Sequence, residues 1–367
     1  MKFRCDRDLL ADALATVQRG VSTRPGIPAL TGVLMTVGEE GLTLTTTDLE
    51  VTTEVRVPVE TREEGTALVP ARLMADMVKS LAPDAVEFDT DGSQARVLCR
   101  SFEGTLRCLA AEDFPAFREP EGVRVTAAAE PFAEGVGQVV RAASRDEARP
   151  VLTGVLLEAN REGLTIVATD SYRLAVRELS ATGGGEATAL VPERAISEAG
   201  RAAAGEEKAE VEIILGEAQA AFRVGPLRLT SRLIDEQFPN YRQLLPEPGG
   251  NRLTAARQDL LEAVRRVGLL ARESSPVRLE LNALGVRLTS SSPDLGGAVE
   301  AVEANYEGED LTAAFNPAFL GDGLAGVVGD RVEVEFRDGL KPAVLRGEGG
   351  GEFTYLVMPV RLPAAVG

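Results

Sequence analysis

"GLTIVATDSYRLAV", residues 163–176, reads as a strand, a sharp turn at Thr169-Asp170 and a second strand, and "GLTLTTTDLEVTTEV", beginning at Gly41, is a near-copy. Alternating apolar positions on either side of a turn-forming Thr-Asp pair mark an antiparallel hairpin. The copies lie 122 residues apart (163 − 41 = 122) in a chain of 367 residues, close to three such lengths. "TGVL" at 31–34 recurs at 153–156 and "ALVP" at 67–70 recurs at 189–192, each with the same offset of 122. Separate segments held in one register are the mark of an internal repeat.

A third copy is weaker. "GVRLTSSSPDLGGAVEAVE" from Gly285 follows the hairpin pattern, and "AAFNP" at 313–317 takes the place of "ALVP". The units end on related text, "DFPAFREP", "QFPNYRQLLPEP" and "EFTYLVMPVRLP", and the Pro/Gly-rich "EPEG" (119–122) and "EPGG" (247–250) read as linkers. Three domains are therefore expected, over residues 1–122, 123–247 and 248–367.

Each unit alternates two periods. Leu10, Leu14 and Val17 form one helical stripe, as do Phe132, Val136, Val139 and Val140, and Leu260, Val264 and Val267. A second helix is expected to start at the proline of "VPARLMADMVKSL", "VPERAISEAGRAA" and "NPAFLGDGLAGV". The stretches between alternate with period 2 and carry turn signals at "TDGSQ", "FEGT" and "VGPL". The fold class is α+β, two helices packed on antiparallel sheet in each of three repeated domains.

Composition removes several chemistries. With no histidine, Ser-His-Asp and Cys-His catalysis and His-ligated zinc are excluded. Three cysteines without a Cys-x-x-Cys pair make no disulfide framework. Cys99 and Cys108 flank Glu103-Gly104 symmetrically in "CRSFEGTLRC", so a turn there would set two reduced thiols face to face. The charged start "MKFRCDRDLLADAL" has no signal-peptide core, and a cytoplasmic location without membrane association is expected. Glycine runs at 183–185 and 349–351 lack the Lys-Ser/Thr of a phosphate loop and read as turns. Acidic "DTD" (89–91) and "EGED" (307–310) match no metal-loop spacing, so no metal, cofactor or catalytic constellation is expected.

The net charge of −18 argues against a surface that is basic overall but leaves room for a local one. Arg72 and Lys79 are two helical turns apart on one face, and Arg194 and Arg201 repeat that pair 122 residues on. Met74 and Met77, matching Ile196 and Ala199, take the opposite, core-directed side, and Arg19 matches Arg141. Arg265, Arg266 and Arg272 extend the pattern into the third unit, whose second helix supplies no base. Such a repeated surface holds phosphates by charge, blind to sequence. With 4% aromatic residues and no Trp, stacking on single strands is the poorer fit.

The segments "TDLEV", "VPARLMADMVKSL", "ATDSYRLAV", "LIDEQFPNYRQLLP" and "YLVMPVRL", in this order along the whole chain, resemble the bacterial DNA polymerase III beta subunit family, the replicative sliding clamps. The resemblance implies a DNA-clamp fold and two protomers closing head to tail into a ring around duplex DNA, with helices lining the hole. It implies a processivity factor without catalysis, with the DNA polymerase III alpha subunit, the clamp loader and other clamp-binding-motif proteins as partners. Such partners would insert a Gln-Leu-rich, Leu-Phe-ended peptide into a cleft at Leu152, Thr169, Ser171, Tyr172, Arg173, Leu174, Pro239, Leu244, Met358, Pro359, Val360 and Arg361. The implied DNA-facing positions are Arg24, Arg72 and Arg194, to which the repeat register adds Lys79, Arg141 and Arg201. The implied dimer contact pairs the 99–109 region with the third domain near Leu269 and Leu270.

Four features depart from the family pattern: Tyr172 in place of a frequent His, Gln243 and Leu73 where a basic residue can stand, and the tail "PAAVG". Two other classes make distinct demands. A repeat-built enzyme such as an enolpyruvyl transferase would gather Lys, Arg and Asp at one inter-domain cleft, and a protein-only scaffold would ignore DNA at low salt.

Overall fold

A computed structural model describes the chain except residues 22–25, 207–208, 246–249, 272–275, 294 and 362–367. Arg24, Arg272, the tail beyond Arg361 and part of the second linker therefore lie outside the described residues.

Among the described residues six α-helices form on the apolar stripes and proline starts of the sequence: α1 (Arg7–Val17), α2 (Ala71–Ser80), α3 (Ala129–Val139), α4 (Glu193–Ala204), α5 (Arg257–Gly268) and α6 (Pro317–Gly326). Asp6 starts α1 by accepting the N–H groups of Asp8 and Leu9 at 2.8 and 3.2 Å. Asn316 does the same for Ala318 at 2.9 Å, with Pro317 in the first helical position of α6. Leu10, Leu14 and Val17 of α1, Phe132, Val136 and Val139 of α3, and Leu260, Val264 and Val267 of α5 are buried as expected, whereas Val140 is half-buried. On α2, Met74 is buried and Met77 only half-buried.

The chain gathers into two compact units, Met1–Glu130 with Arg201–Leu233, and Pro131–Gly200 with Ile234–Gly367. This partition crosses the repeat boundaries, and strand pairing explains why. In the first unit the second strand of the first hairpin (Val51–Val57) is zipped antiparallel to Leu227–Arg232, the closing strand of the second repeat. In the second unit the second strand of the next hairpin (Arg173–Leu179) is zipped to Phe353–Val357, the closing strand of the third. Each hairpin thus joins its own repeat to the end of the following one through a continuous hydrogen-bonded sheet.

The first unit also holds a five-stranded sheet ordered 60–63, 2–6, 85–90, 94–99, 102–107. The second holds a nine-stranded sheet ordered 187–192, 154–159, 164–169, 173–179, 353–357, 343–347, 331–336, 251–256, 304–307, and a four-stranded one ordered 296–302, 285–292, 277–282, 311–315. Phe102–Arg107 and Gly296–Val302 are edge strands.

One turn differs from expectation. Cys99 pairs with Phe102, so the chain reverses at Arg100-Ser101 and not at Glu103-Gly104. Gly104 lies inside the strand because a Cβ there would meet the Phe102 ring at 2.9 Å, so its glycine marks a close approach. Cys99 and Cys108 consequently do not face each other. The Cys108 N–H instead reaches the Ser93 carbonyl at 2.9 Å, and all three thiols are free.

Candidate docking cleft and nucleic-acid interface

The hairpin copies agree down to single hydrogen bonds. Asp48 Oδ1 accepts from the N–H groups of Glu50 and Val51 at 3.1 and 2.8 Å. Asp170 Oδ1 accepts from Tyr172 and Arg173 at 2.9 and 3.0 Å. Thr47 and Thr169 each donate to the carbonyl four residues on, Val51 and Arg173, at 3.1 and 2.6 Å. Leu49 and Ser171, at φ 77° and 79°, turn the chain in the left-handed region. The Thr-Asp pair is therefore a backbone device that fixes where residues 171–174 point.

In the second unit those residues overlie an apolar floor. Leu174 stands opposite Leu356 across the seam, and both join Leu156, Val167, Val176, Leu190 and Tyr241 in one buried cluster. Val151, Ile234, Phe238 and Leu245 pack on it from the side. Full burial of each such side chain contributes roughly 1.5–3 kcal/mol. Tyr241 is anchored by donating its hydroxyl to Glu158 at 2.7 Å, and Arg242 reaches the same carboxylate at 2.7 Å. Burial works against ionisation of Glu158, but the hydrogen bonds from Arg242 and Tyr241 outweigh it and hold the carboxyl below its usual range. Burial and then the Glu158 hydrogen bond push the Tyr241 hydroxyl well up.

The expected cleft residues separate into floor and rim. Leu152, Thr169 and Leu174 are buried, and Leu174 belongs to the floor. Tyr172 (58% exposed), Leu244 (50%), Met358 and Val360 (both 39%) stand open, an apolar rim that a floor alone would not supply. Ser171, Pro239 and Arg361 are exposed and Pro359 is half-buried. The Met358 N–H donates to the Tyr172 carbonyl at 2.8 Å, which ties the two sides of the rim.

Arg173 is 11% exposed at its side chain and points inward. It donates to Asp170 at 3.0 Å and to Asp322 of α6, and its guanidinium lies 4.4 Å from the Phe319 ring centre. Phe319 stacks on Tyr172, with ring centres 6.2 Å apart, and its carbonyl accepts from the Tyr355 hydroxyl at 2.9 Å. A Cβ on Gly323 would collide with the Tyr355 ring, so α6 approaches this strand closely only because that position is glycine. Phe319, Asp322 and Glu158 surround the candidate cleft without being singled out by the sequence patterns, and for the first two the reason is that a search of α6 for bases finds none. The Asn-Pro start of α6, repeating the Pro of α2 and α4, is the signal that it matters.

The basic positions sit as the register requires. Arg72 and Lys79 of α2, and Arg194 and Arg201 of α4, are exposed, while Ile196 and Ala199 are buried. Arg72 lies 4.0 Å from Asp76. Arg141 is exposed at the turn after α3, donates to the Gly137 carbonyl at 3.2 Å and lies 3.9 Å from Asp322. Arg265 is exposed, but Arg266 is held by Glu262 at 3.1 Å and Glu300 at 2.7 Å, so the third unit presents less open charge than its Arg-Arg pair suggests. Leu269 is exposed and Leu270 half-buried at the end of α5, the helix packed on the Gly296–Val302 edge strand. Among the described residues no group of three His, Cys, Asp or Glu is placed to hold a metal, and no helix is long and apolar enough to cross a membrane.

Comparison with known proteins agrees in every part of the chain. The DNA polymerase III beta subunit family matches in three pieces, its N-terminal domain over residues 1–118, its central domain over 126–240 and its C-terminal domain over 242–361. The beta sliding clamp of Streptomyces coelicolor is 37% identical over 374 residues, covering 99% of this chain and 100% of that protein. That of Synechococcus elongatus is 32% identical over 376 residues, with the same coverage. Among solved structures, the Pseudomonas aeruginosa DnaN sliding clamp bound to griselimycin superposes with a TM-score of 0.94 at 32% identity, covering 99% of this chain and 100% of that one. The Bacillus subtilis DNA polymerase sliding clamp gives 0.93 at 27% identity, with the same coverage.

Proposed function

The chain belongs to the DNA polymerase III beta subunit family, and from that premise we propose how its parts perform the work of a replicative sliding clamp, a role without catalysis of its own. Two copies close head to tail into a ring around duplex DNA. The three repeats act as domains 1–122, 123–247 and 248–367. DNA is held loosely and without sequence preference by Arg24, Arg72, Lys79, Arg141, Arg194 and Arg201. The rim and floor around Leu174 take an apolar peptide of the DNA polymerase III alpha subunit, the clamp loader and other partners, in the cytoplasm.

The observation that carries this reading is the pairing of seams. The first two hairpins each bind the closing strand of the next repeat, whereas the third presents Gly296–Val302 as an edge, and the first repeat's closing strand, Phe102–Arg107, is an edge as well. One chain thus carries both halves of a third seam. An edge strand of this kind is a template for pairing with another chain. Two different halves give a heterologous contact, which closes into a ring when the rotation permits. Leu269, Leu73, Phe102 and Val299, all exposed, are the apolar side chains this closure would cover.

Retention on closed circular against linear duplex at moderate salt, after loading by a clamp loader, tests the proposal. Persistence on the circle with loss from linear ends is the expected result. Equal retention would indicate ordinary charge binding, and none on either, with a control clamp loading normally, would favour the protein-only scaffold. Arg72→Glu combined with Arg194→Glu is expected to shorten retention while leaving the circular-dichroism melt unchanged. Every phosphate that the variant no longer neutralises should flatten the logarithmic salt dependence by about 1.

A further inference from the structure

The docking rim and the basic surface meet at one carboxylate. Asp322 on α6 receives Arg173 from the hairpin, and Arg141 stands 3.9 Å away on its other side. From Arg173 the chain of neighbours runs on without a gap: its guanidinium over Phe319 at 4.4 Å, Phe319 stacked on Tyr172 at 6.2 Å, and the Tyr172 carbonyl bonded to the Met358 N–H at 2.8 Å. Arg141, Asp322, Arg173, Phe319 and Tyr172 all wall one cavity of about 690 Å³, which Arg145, Arg149, Asp146, Asp170 and Glu193 also line, with Arg149 held by Asp146 at 3.1 Å.

The two cations are held unequally. Arg173 is nearly buried and has a second carboxylate, Asp170, at 3.0 Å. Arg141 is 46% exposed at its side chain and reaches Asp322 only at the limit of an ion pair. A loose, solvated pair is worth little and is broken easily by a competing anion. We propose that Asp322 is a positioning residue shared between Arg141 and Arg173, so that a phosphate drawing Arg141 away leaves Asp322 to Arg173, fixes the Phe319–Tyr172 stack and tightens the peptide rim. This rests on the proposed reading of Arg141 as DNA-facing and of the rim as a peptide site. Reciprocity then requires bound peptide to strengthen the hold on duplex by the same factor.

The test is anisotropy of a fluorescein-labelled pentapeptide, Gln-Leu-Ala-Leu-Phe, titrated with the full-length protein with and without an unlabelled 20-base-pair duplex at low salt. Arg141→Gln is expected to tighten the peptide about threefold without DNA, the size of a weak surface pair. Duplex should tighten the wild type by a similar factor and add nothing to Arg141→Gln. Asp322→Asn should weaken the peptide and also erase the effect of Arg141→Gln in the double variant, with circular dichroism unchanged. A merely structural Asp322 would weaken the peptide yet leave the Arg141→Gln effect in place, and additivity in that cycle overturns the proposal. So does unchanged peptide affinity in Arg141→Gln, or no peptide binding by any form. Should duplex leave the wild type unaffected while Arg141→Gln still tightens the peptide, the relay stands and the placement of Arg141 on DNA is what fails.

Discussion

Thr52 faces Thr230 across the seam of the first unit, and Leu174 faces Leu356 across the seam of the second. The positions are equivalent: 52 + 122 = 174, and the strands, turns and turn hydrogen bonds around them correspond. Val167 and Val176 of the second seam likewise have Thr45 and Glu54 as their counterparts in the first. The apolar cluster behind each seam is shared in outline, with Ala29, Leu34 and Leu68 answering to Val151, Leu156 and Leu190. Both also take aromatics from the end of their own repeat, Phe114 and Phe117 against Phe238 and Tyr241, but among the described residues the first cluster takes nothing from the seam. One backbone therefore serves twice, as plain joint and as joint with an apolar floor. A seam needs only backbone hydrogen bonds to close, so its side chains are free to specialise.

Exchange of floor residues is the strongest way to break this comparison. Leu174→Thr should destabilise the protein by about 2–3 kcal/mol, since it removes buried apolar area and inserts a hydroxyl. It should also abolish peptide binding, read by urea unfolding and by anisotropy. Thr52→Val in the other seam removes the buried Thr47–Thr52 hydroxyl pair at 3.1 Å and should cost about 0.5–1.5 kcal/mol while leaving the peptide alone.

Acid should separate the two copies next. Glu158 corresponds to Thr36, so only the second copy carries the Glu158–Tyr241–Arg242 anchor. The folded carboxyl is held below its usual range, so its stabilisation is complete above the unfolded pKa and disappears as pH falls through the folded one. The melting difference between wild type and Glu158→Gln should accordingly shrink as pH falls through and below the ordinary carboxylate range. A constant difference would remove Glu158 as the acid-sensitive element.

The smallest effect sharpens the turn comparison. Leu49 adopts φ 77°, where a side chain is strained, so Leu49→Gly should stabilise the first hairpin by about 0.5–1 kcal/mol. Destabilisation in thermal melts would mean that the Leu49 side chain packs more than its exposure suggests.

Much of this is legible in the sequence because a repeat supplies its own control. The offset of 122 separates turn chemistry (Thr-Asp) from content (Leu-Glu against Ser-Tyr), and it puts Arg72 with Arg194 on exposed helix faces. What escapes depends on contacts between distant segments. Gly104 imitates a turn residue because nothing local reveals that Met77 of α2 closes over it. Phe319 and Asp322 gain their roles only when strand pairing brings α6 over Arg173. Arg266 reads as open charge because its partner Glu300 is 34 residues away in sequence.

The most direct measurement is a calorimetric titration of the wild-type protein with the pentapeptide, read for stoichiometry. The apolar seam being the docking seam, one peptide per chain is predicted, and none after Leu174→Thr. Two peptides per chain, or one that survives Leu174→Thr, would contradict it, because the polar seam or another surface would then bind as well as the floor that distinguishes the second hairpin from the first.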